Sequence, residues 1–123
     1  MTDQRFTSHA KGLLGEAAAE AYLCQSGMYC IGRRYHSPYG EIDLIMQHEE
    51  MLVFVEVKAR NTGTLLDAQM AVTPSKQRKI IQTALIFLNE HPEYAQYMMR
   101  FDIVSISNDC IRHLPNAFQG SGW

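Results

Sequence analysis

Asp43, Glu56 and Lys58 are the residues of this chain whose types and spacing could do chemistry. They lie in two apolar runs, Gly-Glu-Ile-Asp-Leu-Ile-Met from Gly40 and Met-Leu-Val-Phe-Val-Glu-Val-Lys-Ala-Arg from Met51, separated by Gln47-His48-Glu49-Glu50. Runs of this kind read as the buried strands of a hairpin, yet each carries charge where a core strand carries none. Burying a carboxylate or an ammonium is costly unless it is paired or binds a metal. With the turn centred between Glu49 and Glu50, Asp43 faces Glu56, Glu41 faces Lys58 and Ile45 faces Phe54. Directly opposed residues have Cβ atoms about 4.5–5.5 Å apart, and like charges so placed repel. A divalent cation such as Mg²⁺, which takes carboxylate, carbonyl and water oxygens, would remove that repulsion. The same periodicity also allows a cross-strand ion pair between Glu41 and Lys58, with Asp43 and Glu56 turned to solvent at a sheet edge. Pattern alone leaves both arrangements open.

The elements that must position these groups follow from the rest of the chain. Alternation places Ile42, Leu44 and Met46 with Val53, Val55 and Val57 on one apolar face of the hairpin, and Glu41, Asp43 and Ile45 against Phe54, Glu56 and Lys58 on the other. Upstream, His9 to Ser26 reads as a helix with an apolar stripe of Leu13, Leu14, Ala17, Ala18, Ala21 and Tyr22, and Gly27 suits its C-terminal cap. Gly12, Gly15 and four alanines make one side of that helix small enough to lie close to a neighbour. Tyr29 to Tyr35 reads as a strand, with a turn over His36 to Gly40.

Asn61 to Val72 carries no clear period and reads as an irregular, mobile loop. Thr73-Pro74 is a helix start, with Thr as N-cap and Pro in the first turn. Ile80, Ile81, Ala84, Leu85 and Leu88 form that helix's stripe, and His91-Pro92 ends it. Arg100 to Ser107 and Cys110 to Leu114 read as strands joined by a tight turn at Asn108-Asp109. The order α-β-β-β-α-β-β predicts an α/β fold in which helices cover a mixed sheet.

Length and composition bound the class. The 123 residues suffice for one domain with a real core. The N-terminal segment lacks the apolar h-region of a signal peptide. The longest apolar run, Met51 to Val55, is far too short to span a bilayer, so no membrane association is expected. Cys24, Cys30 and Cys110 are odd in number and lack metal-like spacing, which predicts reduced thiols in a cytoplasmic core. Five scattered histidines without a His-Glu-x-x-His pattern argue against zinc. Net charge is −2, against non-specific coating of nucleic acid, but the positive residues cluster at Arg33-Arg34, at Lys58 and Arg60, and at Lys76, Arg78 and Lys79. Local patches of that kind matter more for phosphate contacts than the total does.

Asp43 followed after a gap by Glu56-Val57-Lys58 resembles the motif of the PD-(D/E)xK nuclease superfamily. Gly15-Glu16, Gly40-Glu41-Ile42-Asp43-Leu44-Ile45, Phe54-Val55-Glu56-Val57-Lys58-Ala59-Arg60, Thr73-Pro74-Ser75-Lys76 and Arg100-Phe101-Asp102 more closely resemble the bacterial YraN (UPF0102) family, described as related to archaeal Holliday junction resolvases. The likeness runs from about Lys11 to Phe118. The chain departs from the family pattern at Arg34, where Asn is common, and near Asp67, where Gly is common.

This resemblance implies a single PD-(D/E)xK nuclease-like domain over residues 1–123 with a restriction-endonuclease-like core, a mixed central sheet flanked by helices. It implies a metal-dependent endonuclease that hydrolyses phosphodiester bonds in DNA, with branched or Holliday-junction-like substrates. Asp43 and Glu56 would bind Mg²⁺ or Mn²⁺, with the Val57 carbonyl as a further ligand and Glu16 as an acidic group on the first helix facing the metal. Lys58 would orient the attacking water or neutralise charge on phosphorus, while Glu41 would hold the turn and Lys58.

Lys76 opposes the dipole of its own helix, a penalty that a phosphate would reverse. Arg60, Arg78 and Lys79 are candidates for further backbone contacts, whereas Arg100 and Asp102 read as an ion pair. A dimer would suit a symmetric junction. The competing readings are a nucleic-acid-binding module that keeps the nuclease fold with little or no turnover, and a protein-interaction subunit whose charged hairpin is structural.

Overall fold

The computed structural model describes residues 8–60, 64–107 and 110–119. Its elements, in chain order, are α1 (Ser8–Gln25), β1 (Tyr29–Ser37), β2 (Gly40–His48), β3 (Met51–Arg60), α2 (Leu65–Ala71), α3 (Pro74–Glu90), a short 3₁₀ turn (Pro92–Tyr94), β4 (Met98–Ser107) and β5 (Cys110–Phe118). The five strands form one sheet in the order β1-β2-β3-β4-β5. β1, β2 and β3 run antiparallel as a meander, β3 and β4 are parallel across the helical crossover, and β4 and β5 are antiparallel. This is a mixed, helix-covered α/β sheet, consistent with a restriction-endonuclease-like core.

The near-continuous apolar composition of β2 and β3 has a simple cause: both faces of the sheet centre are buried. Leu44, Met46, Val53, Val55 and Val104 pack with Ala19 and Leu23 of α1. Ile45, Leu52, Phe54, Phe101 and Ile103 pack with Ala68, Val72, Ile80, Ala84 and Phe87 on the α2–α3 side. Among the described residues no helix is long and apolar enough to cross a membrane.

The N-terminal helix turns a different face inward from the one its leucines suggest. Leu14 is 54% exposed, and Ala17 and Ala21 are exposed too, whereas Gly15, Ala19 and Leu23 are buried; the side chain of Leu13 lies outside the described set. The reason is distance of approach. A Cβ placed on Gly15 would stand 2.8 Å from Ala59 Cβ, so glycine lets the helix lie on β3 more closely than any other residue would. Gly27 closes the helix at φ +95, the left-handed position glycine takes without strain.

Asn61 to Val72 is not wholly irregular. Its second half is α2, started by a capping box in which Thr64 Oγ1 accepts the Asp67 N–H and Asp67 Oδ2 accepts the Thr64 N–H. The seven residues of α2 are too few for periodicity to reveal, and the cap supplies what stripe length does not. Asp67 is therefore the residue that holds this helix start. The helix start at Thr73-Pro74 is as expected, with Thr73 Oγ1 accepting the Lys76 N–H. β5 continues past Leu114 through Pro115 to Phe118, which its position at the sheet edge permits. The turn expected at Asn108-Asp109 lies outside the described residues.

The cysteines are free, but Cys24 and Cys110 are exposed rather than in the core. They sit at the last turn of α1 and the first residue of β5, where small side chains meet solvent whatever their polarity.

Candidate metal and phosphate site

The β2–β3 hairpin has the register the turn predicts: His48 pairs with Met51, Gln47 with Leu52, Met46 with Val53, Ile45 with Phe54 and Leu44 with Val55. The ladder then stops one pair short of Asp43 and Glu56. Instead of a facing backbone, Asp43 offers its side chain: Oδ2 accepts the Val57 N–H at 2.8 Å. The face pattern of β2 breaks at the same place. Ile42 packs with Ile45 and Phe54 on the α3 side rather than with Leu44 and Met46, so strict alternation fails across Asp43. On the other flank, Arg33–Leu44 and Tyr35–Ile42 are paired around Arg34, whose φ of +51 puts a bend in β1 beside this point. A kink in β1 and the parting of β2 from β3 together leave Asp43 at the fork.

Glu56 and Lys58 project from β3 into that fork. Lys58 Nζ is 3.4 Å from Glu56 Oε1, with side chains 16% and 12% exposed. The solvent-facing arrangement is thus excluded for Glu56. A third group arrives from α3: Lys76 Nζ is 3.7 Å from the same Glu56 oxygen. Both ammonium groups lie on Glu56. Asp43 has none among the groups that set its acidity; burial first, then the charge of Glu56, push its carboxyl up to about 7, with smaller contributions from Glu16 and Glu41 and only the Val57 N–H opposing. Burial also lowers the Lys58 ammonium, as does Lys76, against the pull of Glu56.

Each residue named from the sequence has a place. Asp43, Glu56, Lys58 and Lys76 converge, and Glu16 on α1 is near enough for its charge to be felt at Asp43. Val57 contributes its N–H to the site by holding Asp43. Arg78 and Lys79 lie exposed along α3. Arg60 ends β3 opposite Ser107, and its side chain is outside the described set. Glu41 does not hold Lys58. Its carboxylate pairs with Arg34 Nε at 3.3 Å and His36 Nδ1 at 3.6 Å, because β2 diverges from β3 here while it stays in register with β1. Arg100 and Asp102 do form an ion pair, within a buried network that includes His113. The contact between Lys76 and Glu56 is what sequence reasoning missed; a lysine in the first turn after Thr73-Pro74 signalled an anion, but the nearest anion is the chain's own.

The donor set suits a hard cation. Among the described residues no three His, Cys, Asp or Glu side chains gather into a cage. Mg²⁺ does not require one, since it is commonly held by one or two carboxylates with waters and substrate phosphates completing the shell. Asp43, burdened by the neighbouring Glu56, is the kind of group a divalent cation relieves.

Comparison with known proteins bears on descent. The model of the uncharacterised protein family UPF0102 matches residues 15–106. A UPF0102 protein of Rhodopseudomonas palustris strain BisB18 is 45% identical over 119 residues, covering 96% of this chain and 87% of its own. The UPF0102 protein RPA0323 of R. palustris strain CGA009 is 42% identical over 118 residues, 95% of this chain and 89% of that one. The UPF0102 protein bll0669 of Bradyrhizobium diazoefficiens is 40% identical over 119 residues, 96% and 88% of the two chains. These names speak to kinship rather than to chemistry.

Proposed function

The chain belongs to the uncharacterised protein family UPF0102, and from the site it carries we propose that it is a metal-dependent endonuclease hydrolysing phosphodiester bonds in DNA, branched duplexes included. The observation that supports this reading best is the convergence of Asp43, Glu56 and Lys58 at the fork where β2 leaves β3, with no cationic partner for Asp43 among the described residues.

Asp43 and Glu56 would hold Mg²⁺ or Mn²⁺, with the Val57 carbonyl and Glu16 as further ligands. The ion, when bound, supplies Lewis acidity toward a phosphate and a water molecule. The Val57 N–H fixes one Asp43 oxygen, so the other is presented in one direction. Lys58, largely buried beside Glu56, has little freedom to wander and can donate to a water or to a non-bridging phosphate oxygen. Arg60, Arg78 and Lys79, further along β3 and α3, are in sequence positions suited to backbone phosphates on either side. DNA as substrate implies the cytoplasm, where free thiols such as Cys24, Cys30 and Cys110 persist. A symmetric four-way junction would call for two copies of the chain.

The deciding experiment is incubation of labelled linear, flapped and four-way DNA with Mg²⁺ or Mn²⁺, using the wild type and Asp43→Asn. Cleavage by the first and not by the second is expected. One observation favours the alternative, a DNA-binding module with little turnover: two lysines already neutralise Glu56. Tight, salt-dependent DNA binding without cleavage under any metal would select it.

A further inference from the structure

We propose that Lys76 is a built-in competitor of the metal for Glu56, and that its release couples metal binding to DNA binding. The inference rests on the reading of Asp43 and Glu56 as a cation site. Two ammonium groups lie against one Glu56 oxygen, at 3.4 Å for Lys58 and 3.7 Å for Lys76. A cation shared by Asp43 and Glu56 would lie close to both and be repelled by both.

The two lysines differ in their freedom to yield. The Lys58 side chain is 16% exposed and rooted on β3, the middle strand of the sheet, whereas that of Lys76 is 48% exposed on the first turn of α3. Lys76 can swing to solvent by rotating its own side chain; Lys58 cannot without leaving packed surroundings. Once displaced, Lys76 carries its charge at a helix start, where a backbone phosphate is favourably placed. A phosphate that engages Lys76 leaves Glu56 freer for the metal. By linkage, metal and DNA then each tighten the other, and Lys76 is the residue through which they do so.

Titration of Mn²⁺ by calorimetry, with and without a short duplex, tests this on the wild type, Lys76→Met, Lys76→Arg and Arg112→Met. Arg112 is exposed on edge strand β5, two strands from Lys58, so its removal tests the loss of one positive charge that touches neither Glu56 nor Lys58 in the ion pairs of the site. Lys76→Met is expected to bind Mn²⁺ about five-fold tighter without DNA, the scale of one unit charge removed a few ångströms away in a wet site. It should also lose the gain in metal affinity that DNA confers on the wild type. Lys76→Arg should keep wild-type behaviour, and Arg112→Met should change Mn²⁺ affinity less than two-fold. Unchanged or weaker Mn²⁺ binding by Lys76→Met, or equal tightening by Arg112→Met, overturns the inference while leaving the metal site standing. Absence of Mn²⁺ binding in the wild type, or binding unaltered by Asp43→Asn, overturns the metal reading and this inference with it.

Discussion

Asp43 Oδ2 accepts the Val57 N–H at 2.8 Å, one step beyond the last backbone pair joining β2 to β3. The side chain thus takes over the role of a sheet hydrogen bond at the point where the strands part. This ties the carboxylate to the β3 segment that carries Glu56 and Lys58, and makes the fork a fixed feature rather than a frayed edge. A hydrogen bond from a backbone amide stabilises the ionised form, yet here burial and Glu56 outweigh it.

The pH dependence of stability follows from that imbalance. The Asp43 carboxyl is raised from 3.8 to about 7 by burial and then by Glu56. A raised folded-state value contributes stability below the ordinary carboxyl range, and that contribution is lost as pH rises through the folded value. In chelator, denaturant melts of the wild type should therefore show stability falling between those two values, by on the order of 4 kcal/mol. Asp43→Asn, which keeps an acceptor for Val57, should be flatter. Mg²⁺ at pH 8 should restore the wild type and leave the variant unmoved.

Asp102 has the opposite sign. Burial alone would raise its carboxyl, but bonds from His113, Arg100 and the Asn116 N–H outweigh burial and hold it below the usual value. The contacts are short: 2.6 Å to His113 Nε2, 2.8 Å to Arg100 Nε and Nη2, and 2.9 Å to Asn116 N. Its stabilisation is present above the ordinary carboxyl range and lost as pH falls through the lowered value. Asp102→Asn should cost about 3 kcal/mol at neutral pH and flatten the acid limb of the stability curve. A variant as stable as wild type in urea at pH 7 would show the network to be dispensable.

Gly15 should tolerate no side chain. Gly15→Val is expected to lose about 1–3 kcal/mol through overpacking against Ala59. Gly15→Ala should lose less, and Ala59→Gly should recover part of that loss, giving a coupling of at least about 0.5 kcal/mol in a double-mutant cycle. Additive effects would mean that α1 simply shifts off the sheet.

Arg34 holds φ at +51, a conformation disfavoured for residues with a Cβ other than Asn and Asp. Its ion pair with Glu41 is partly exposed and worth little. Arg34→Asn should therefore raise the thermal midpoint slightly, by the equivalent of about 0.5 kcal/mol. A fall in midpoint would assign Arg34 a role beyond the bend.

Much of this architecture was legible before any coordinates. The Thr73-Pro74 helix start, the Gly27 cap and the hairpin register are local: each depends on the conformational preferences of a few adjacent residues, or on a turn that counts pairs outward from Glu49 and Glu50. Asp43, Glu56 and Lys58 stood out for the same reason, since charge inside an apolar strand is visible in one dimension. The inward face of α1 was not legible, because hydrophobicity favoured Leu14 while closeness to Ala59 favoured Gly15, and closeness is a property of two distant segments. Nor was the partner of Glu41, which turned on where β2 stops following β3. Lys76 is the clearest case. Its charge was plain from composition, but its contact with Glu56 exists only because the crossover from β3 through α2 returns the start of α3 to the fork, and no local rule measures the distance between residues twenty positions apart.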